Sequence, residues 1–307
     1  MPTTRPEQVF ENGICDACRS AEDKHKNIDW NKRQKQFEEI LNNYRGNGSN
    51  YDCVIPVSGG KDSCYQALVM RDKYGMTPLC VTHTPCELTT IGQKNLNFLR
   101  DQGFDLIQVS GNRKSYRELV RIGFFKLGDC CWPEHIGIFT APVRIAVNFK
   151  IPLLIWGENS QNEYGGPAAA AKNNTLDRRW LEEFGGLIGM RVSDLSGYPD
   201  LNQNKLTMYT YPTDEEIQEV KVTGLFLGHY LPWDGKQNAI IAKENGFQAF
   251  EERVEGSFVN YENLDNYQTG IHDYFKFLKF GFGRATDLAC LHIRRGRITR
   301  EEGLKIV

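Results

Sequence analysis

Between Asp52 and Met70 the chain reads DCVIPVSGGKDSCYQALVM, an apolar run, a glycine turn and the start of an amphipathic stretch. The run Cys53 to Val57 predicts a buried strand. Ser58-Gly59-Gly60 predicts a turn whose backbone comes close to an anion, because glycine has no side chain to keep it away. Lys61 adds a cation, and Asp62 and Ser63 stand where capping residues of a following helix are expected. Strand, glycine turn and helix start in that order present backbone N–H groups to a phosphate. A Walker A loop is excluded, since it needs a longer glycine loop ending in Gly-Lys-Ser or Gly-Lys-Thr. The competing interpretation is a serine-glycine turn that only begins a helix.

A second group, Trp156-Gly-Glu-Asn-Ser-Gln-Asn-Glu-Tyr-Gly-Gly166, follows the apolar run Ile151 to Trp156, so its polar side chains emerge where a strand leaves the core. Gly157 is expected beside the nucleotide. Glu158 offers carboxylate oxygen to Mg2+, a hard cation, and Asn159 an amide to nucleotide or substrate. Glu163 and Tyr164 are expected to contact substrate, against the alternative of a solvated loop.

Gly128-Asp-Cys-Cys-Trp-Pro-Glu-His-Ile-Gly-Ile138 groups two thiols, a carboxylate and an imidazole. A metal site, a redox or sulfur-transfer cysteine at Cys130 or Cys131, and a loop that packs Trp132 against the nucleotide site all compete. Adjacent cysteines chelate one tetrahedral ion poorly, which favours the loop, with Trp132 and His135 at the substrate. Cys15 and Cys18 have the spacing of half a Zn2+ site with no second pair to match. His83, after the second expected strand, is assigned to the adenine pocket.

The elements that must position these residues alternate. Strands are expected at Pro78 to Thr84, Phe104 to Ser110, Ile151 to Trp156 and Gly224 to Leu231. Helices are expected over Trp30 to Tyr44, Ile91 to Leu99, around Tyr116 to Val120 and around Val143 to Val147. This predicts an α/β fold, a parallel twisted sheet flanked by helices, with an insertion and a helical C-terminal extension. The expected organisation is a cysteine-containing segment with a helix over 1–48, a nucleotide-binding domain over 49–240 interrupted by an insertion at 165–223, and an extension over 241–307. The aromatic spacing at Tyr274, Phe275, Phe277, Leu278 and Phe280 reads as an amphipathic helix packed on the core.

At 307 residues there is room for one large α/β core with an insertion. A net charge of -2 gives no global basic footprint, so no nucleic-acid partner is expected. No stretch reaches a membrane span, and MPTTRPEQVF has neither the basic nor the apolar region of a secretion signal, so a cytoplasmic location without membrane contact is expected.

The motif SGGKDS resembles the PP-loop of the ATP pyrophosphatases, a HUP-like fold of the adenine nucleotide alpha hydrolase type. With ENGICDAC, VIPVSGGKDSCYQAL, GIFTAPVRIAV, IPLLIWGENSQNEYGG and RRGRITREEGLKIV in order, nearly the whole chain resembles the N-acetyl sugar amidotransferases of surface-glycan biosynthesis, the pseudaminic acid and lipopolysaccharide O-antigen type. That resemblance implies conversion of a sugar acetamido group to an acetamidino group through an adenylylated imidate. It assigns ATP to Ser58, Gly59, Gly60, Lys61, Asp62 and Ser63, with Lys61, Asp62 and Glu158 in catalysis. It also implies Mg2+, an acetamido sugar that is nucleotide-linked or a nonulosonic acid, and a separate glutaminase with a cyclase-like subunit to supply ammonia. A tRNA sulfur transferase (thiolase) with the same loop is the competing class.

Overall fold

The computed structural model describes residues 2–46, 51–165, 175–176, 189–195, 198, 201 and 203–307. A short hairpin of β1 (Phe10–Glu11) and β2 (Ile14–Cys15) leads into α1 (Asp16–Lys26) and α2 (Trp30–Asn42). The main sheet then starts in its own middle. Strand β3 (Cys53–Pro56) pairs in parallel with β4 (Pro78–His83) on one side, and β4 with β5 (Asp105–Val109). On its other side β3 pairs with β6 (Leu153–Trp156), β6 with β8 (Thr223–Phe226), and β7 (Thr175–Leu176) closes that edge antiparallel. The order β5-β4-β3-β6-β8-β7 makes β3 and β6 neighbours from which the chain winds in opposite directions, and a crevice opens between their carboxyl ends.

These strands read as apolar runs because both faces are covered. Cys53 and Ile55 of β3 point into one core with Cys64, Leu68, Leu96 and Leu99, whereas Val54 points into the other with Val81, Ala141, Ala146 and Leu154. Helices α3 (Lys61–Leu68) and α4 (Thr90–Asp101) cover the first face. α5 (Arg113–Leu127) leads to α6 (Trp132–Asn148), which covers the second. Then come α7 (Ser160–Tyr164), α8 (Asp214–Val220), α9 (Leu227–Tyr230), α10 (Gly235–Glu244), α11 (Gln268–Phe280), α12 (Arg284–Arg294) and α13 (Arg300–Ile306).

Four expectations need correcting. The loop expected at 128–138 ends at Cys131, where α6 begins, because Pro133 suits a first helical turn whose N–H groups have no partner in the helix. The strand expected to run on to Leu231 stops at Phe226 and turns into α9. Asp62 and Ser63 do not cap α3, whose N-cap is Gly60 with no side-chain cap. The aromatic helix α11 is not simply packed on the core: Phe275 stacks edge-on against Phe124, but Tyr274 and Leu278 are 60% and 57% exposed. Most of the expected insertion, including the run Ala168 to Ala171, lies outside the described residues.

A candidate nucleotide site at the crossing of β3 and β6

Ser58 to Gly60 leave β3 at the crevice, where the loop folds back on itself. Ser63 Oγ accepts from the Ser58 N–H at 3.3 Å and donates to the Gly60 carbonyl at 3.0 Å, and Ser58 Oγ accepts from the Gly60 N–H. Gly59 has a φ of +86°, and a Cβ there would lie 2.8 Å from the Gly92 carbonyl oxygen, so only glycine fits. Because no side chain caps α3, the amides of its first turn remain directed at the crevice. That is the geometry of an anion cradle.

Above the loop lies a cavity of about 450 Å³ with two unlike ends. One end is apolar, formed by Val57, Val81, Ile138, Phe139, Trp156 and Phe226, with His83 among them. His83 is buried, and neither ring nitrogen has a hydrogen-bond partner. Burial pushes its pKa down to about 4, so it is a neutral imidazole offering one donor and one acceptor. The other end is polar, formed by Ser58, Gly60, Lys61, Asp62, Ser63, Glu158, Glu262, Asn263 and Asp265.

The polar wall reveals residues that sequence reasoning missed. Tyr261 to Asn266, between α10 and α11, lie across the glycine loop. Lys61 Nζ sits 2.7 Å from Asp62 Oδ2 and 2.5 Å from Glu262 Oε1, and these two carboxylates raise its pKa against the effect of burial. Asp62 Oδ1 accepts from Asn238 of α10 at 2.8 Å. The segment is anchored where the Thr89 N–H donates to the Asp265 carbonyl at 3.0 Å, the Thr89 hydroxyl donates to the Leu264 carbonyl, and Leu88 bridges Asn266. A Cβ on Gly92 would lie 2.6 Å from Asp265 Cα. No local pattern in NYENLDNY marked it, although its acidic residues beside an aromatic were a signal of sorts.

Glu158 leaves β6 opposite the loop. Burial, then the charge of Asp62, raises its carboxyl to about 7. The cavity lining carries Asp62, Glu134, Glu158, Glu262 and Asp265 against a single cation, Lys61. That excess of carboxylate oxygen fits a divalent hard cation, with Asp62 and Glu158 as the residues that would hold it. Gly157 lines the cavity and leaves room for Trp233, whose ring would be 3.1 Å from a Cβ at that position.

A smaller cavity of about 30 Å³ adjoins through Lys61, Asp62, Glu158, Tyr261 and Glu262, and reaches Glu163, Tyr164, Arg295 and Arg297. Glu163 is buried and bound by Arg295 at 3.0 Å and by Lys24, and Tyr164 lies beneath the Arg5 guanidinium. Asn159 is buried beside the lining residues but does not line the main cavity.

Two expected substrate residues are elsewhere. Trp132 is fully buried in an apolar cluster with Leu119, Ile122, Leu195 and Tyr209, so it supports the wall from behind and cannot touch substrate. His135 points away from the cavity to Asp129, 3.1 Å from its Oδ2, because it lies on a different face of α6 from Glu134. Cys130 and Cys131 are buried outside the cavity, with sulfurs 4.0 Å apart. Cys15 and Cys18 are neighbours, but among the described residues no third ligand groups with them, so the donors present do not fit a Zn2+ site. No helix among the described residues is long and apolar enough to cross a membrane.

Residues 247–307 match the family described as LPS biosynthesis protein WbpG-like, C-terminal domain. An uncharacterised protein of Methanocaldococcus jannaschii is 42% identical over 50 residues, which is 16% of this chain and 18% of that protein, so the chain spans only a small part of its relative's length. Among solved structures, the NH3-dependent NAD synthetase of Campylobacter jejuni aligns at 12% identity and a TM-score of 0.33, covering 74% of this chain and 100% of the other. The tRNA thiolase NcsA of Methanococcus maripaludis with its iron–sulfur cluster aligns at 12% identity and 0.33, covering 100% and 89%. A protein described as a predicted subunit of tRNA methyltransferase from M. jannaschii aligns at 12% identity and 0.32, covering 80% and 89%. At such scores the likeness bears on neither substrate nor reaction.

Proposed function

We propose that the chain is an ATP-dependent amidotransferase of surface-polysaccharide biosynthesis that turns the acetamido group of a sugar into an acetamidino group. The observation that carries this reading is the meeting of two segments in one cavity. The SGGKDS loop supplies the anion cradle, and Tyr261 to Asn266, within the stretch that matches the lipopolysaccharide-biosynthesis family, supply the opposite wall.

An amide carbonyl is a poor electrophile, and its oxygen does not leave as hydroxide at useful rates. The acetamido oxygen therefore attacks the α-phosphorus of ATP, forming a P–O bond as the bond to the β-phosphate oxygen breaks and pyrophosphate departs. Ser58, Gly59, Gly60, Ser63 and the first amides of α3 hold the departing phosphates, and Lys61 offsets their charge. Asp62 and Glu158 would hold Mg2+, which would supply further charge neutralisation. His83, a neutral imidazole in the cavity lining, packs its ring beside the adenine, while its two ring nitrogens stay buried behind that surface. Ammonia then adds to the imidate carbon, AMP leaves with the former amide oxygen, and the amidine retains a proton at neutral pH. Glu163 and Tyr164 line the adjoining cavity of about 30 Å³, which holds a water and not a sugar ring. Glu163, bound by Arg295 and Lys24, therefore braces the segment after Glu158, and the Asn159 carbonyl, accepting from the Asn162 N–H, sets its turn.

Free ammonia is scarce at neutral pH, so a separate glutaminase, with a cyclase-like subunit, is the proposed source, and the cytoplasm the proposed place. A tRNA sulfur transferase working through a resident cysteine persulfide would place that cysteine at the activated carbon, and among the described residues none that lines the cavity is a cysteine. The test is incubation with ATP, Mg2+, ammonium and a panel of acetamido sugars, following AMP and the mass change for exchange of oxygen by NH. Ser58→Ala and Asp62→Ala should abolish AMP release. Full activity in both variants, or AMP formation on tRNA with no acetamido sugar accepted, overturns the reading.

A further inference from the structure

Behind the cavity wall, where α5 ends and α6 begins, Asp129 is almost wholly buried and meets two imidazoles from distant parts of the chain. His135 Nδ1 of α6 lies 3.1 Å from Asp129 Oδ2, and His272 Nδ1 of α11 lies 3.0 Å from Asp129 Oδ1. The rings are perpendicular, with centroids 5.3 Å apart. We propose that Asp129, His135 and His272 form a binding site for a transition-metal ion of the Zn2+ class, separate from the nucleotide site.

Two imidazoles hydrogen-bonded to one buried carboxylate make a donor set that also suits an ion, and one ligand atom from each residue lies within 4.8 Å of the others. Imidazole and carboxylate together suit Zn2+, Co2+ or Ni2+ more than Mg2+, and soft donors stand nearby, since Cys130 and Cys131 group with the same carboxylate. At metal–ligand bonds of about 2.0–2.1 Å, neighbouring ligand atoms around one ion stand roughly 3.3 Å apart, so a group already within 4.8 Å needs only small side-chain shifts to close on an ion. The His135 and His272 side chains are 30% and 26% exposed, so an ion enters from solvent without opening the core.

The site would pin α11 to the start of α6. Gln268 already joins them, its amide donating to the Cys130 carbonyl at 2.9 Å, and the next contact inward is Asn266 donating to Glu134, both of which line the nucleotide cavity. Occupancy would therefore brace the wall that carries Asn266 without touching ATP.

The experiment is titration of the chelator-stripped full chain with Zn2+ and, for its visible spectrum, with Co2+. One equivalent should bind and raise the unfolding temperature. The stoichiometry should persist in a Cys15→Ser/Cys18→Ser variant and in Glu158→Gln. His272→Ala and His135→Ala, both at half-exposed positions, should each weaken binding by more than about tenfold and remove the Co2+ bands. Unchanged metal binding in both histidine variants, with native circular dichroism, overturns the site, as does failure of the wild-type chain to bind either ion.

Discussion

Lys61 of the glycine loop and Glu262 of the C-terminal third form an ion pair at 2.5 Å, so the cation expected at the phosphates is held by a segment that sequence position alone would never place there. Lys61 is almost wholly buried and stays charged because Asp62 and Glu262 compensate it. Lys61→Ala should weaken ATP binding by about 1.5–3 kcal/mol, roughly ten- to hundredfold in Kd, the worth of a charged hydrogen bond. Glu262→Ala should lower unfolding stability by about 3 kcal/mol, because it leaves a buried ammonium with one partner. Equilibrium dialysis and urea unfolding measure the two effects, and an unaltered Kd in Lys61→Ala would remove the lysine from the phosphate site.

Gly92 tests whether the C-terminal wall matters to the nucleotide. An alanine there meets backbone atoms of Asp265 at 2.6 and 2.7 Å, which cannot rotate aside. Gly92→Ala should cost about 1–3 kcal/mol of stability and raise the KM for ATP by lifting Asp265 from the cavity. Gly270→Ala on α11 meets nothing within 4 Å and should stabilise the chain by about 0.5–1 kcal/mol with the KM unchanged. Equal effects of the two variants on KM would mean that the wall is not part of the nucleotide site.

Glu158 sets an expected pH limb. Its carboxyl, raised to about 7 by burial and by Asp62, must lose its proton before it can serve a cation. AMP formation at limiting Mg2+ should therefore fall as pH drops below about 7, and Mg2+ binding should release a proton in that range. Glu158→Gln should lower the rate and abolish the limb. A limb that survives in Glu158→Gln belongs to another group.

His83 makes the fold acid-sensitive. Burial holds its pKa at about 4 in the folded chain against the ordinary 6.5 of an imidazole, so below about pH 6.5 the unfolded chain binds the proton first. The stability present above that pH is lost as pH falls toward 4, by up to about 3 kcal/mol for this one group. Urea midpoints between pH 7 and 4 should show the loss, and His83→Gln should reduce it. An identical pH slope in that variant would mean that His83 is not buried neutral.

Most of the sheet was legible because its strands are buried on both faces and appear as unbroken apolar runs, as at β3, β4 and β6. α6 was misread at its start because Cys-Cys-Trp-Pro looks like a turn until Pro133 is recognised as a first-turn residue. Trp132 was misread for a related reason. A large aromatic near polar residues suits either a pocket or a core, and only packing decided that it faces Leu119 and Ile122. The exposed face of α11 at Tyr274 and Leu278 was equally undecidable, since helical spacing shows that a face is apolar but not what covers it.

What the sequence determined by itself was local: the glycine turn after β3, with Ser58, Gly59 and Gly60 fixed by backbone conformation, and the apolar runs that became the sheet. What only the tertiary structure decided was which distant residues face that turn. Strand order brought Glu158 of the β6 loop opposite Ser58, and the contact of Thr89 with Leu264 and Asp265 laid Glu262 onto Lys61. Such pairings follow from the closure of long loops, whose free energy depends on the whole packed chain, and so leave no periodic signature in either partner segment.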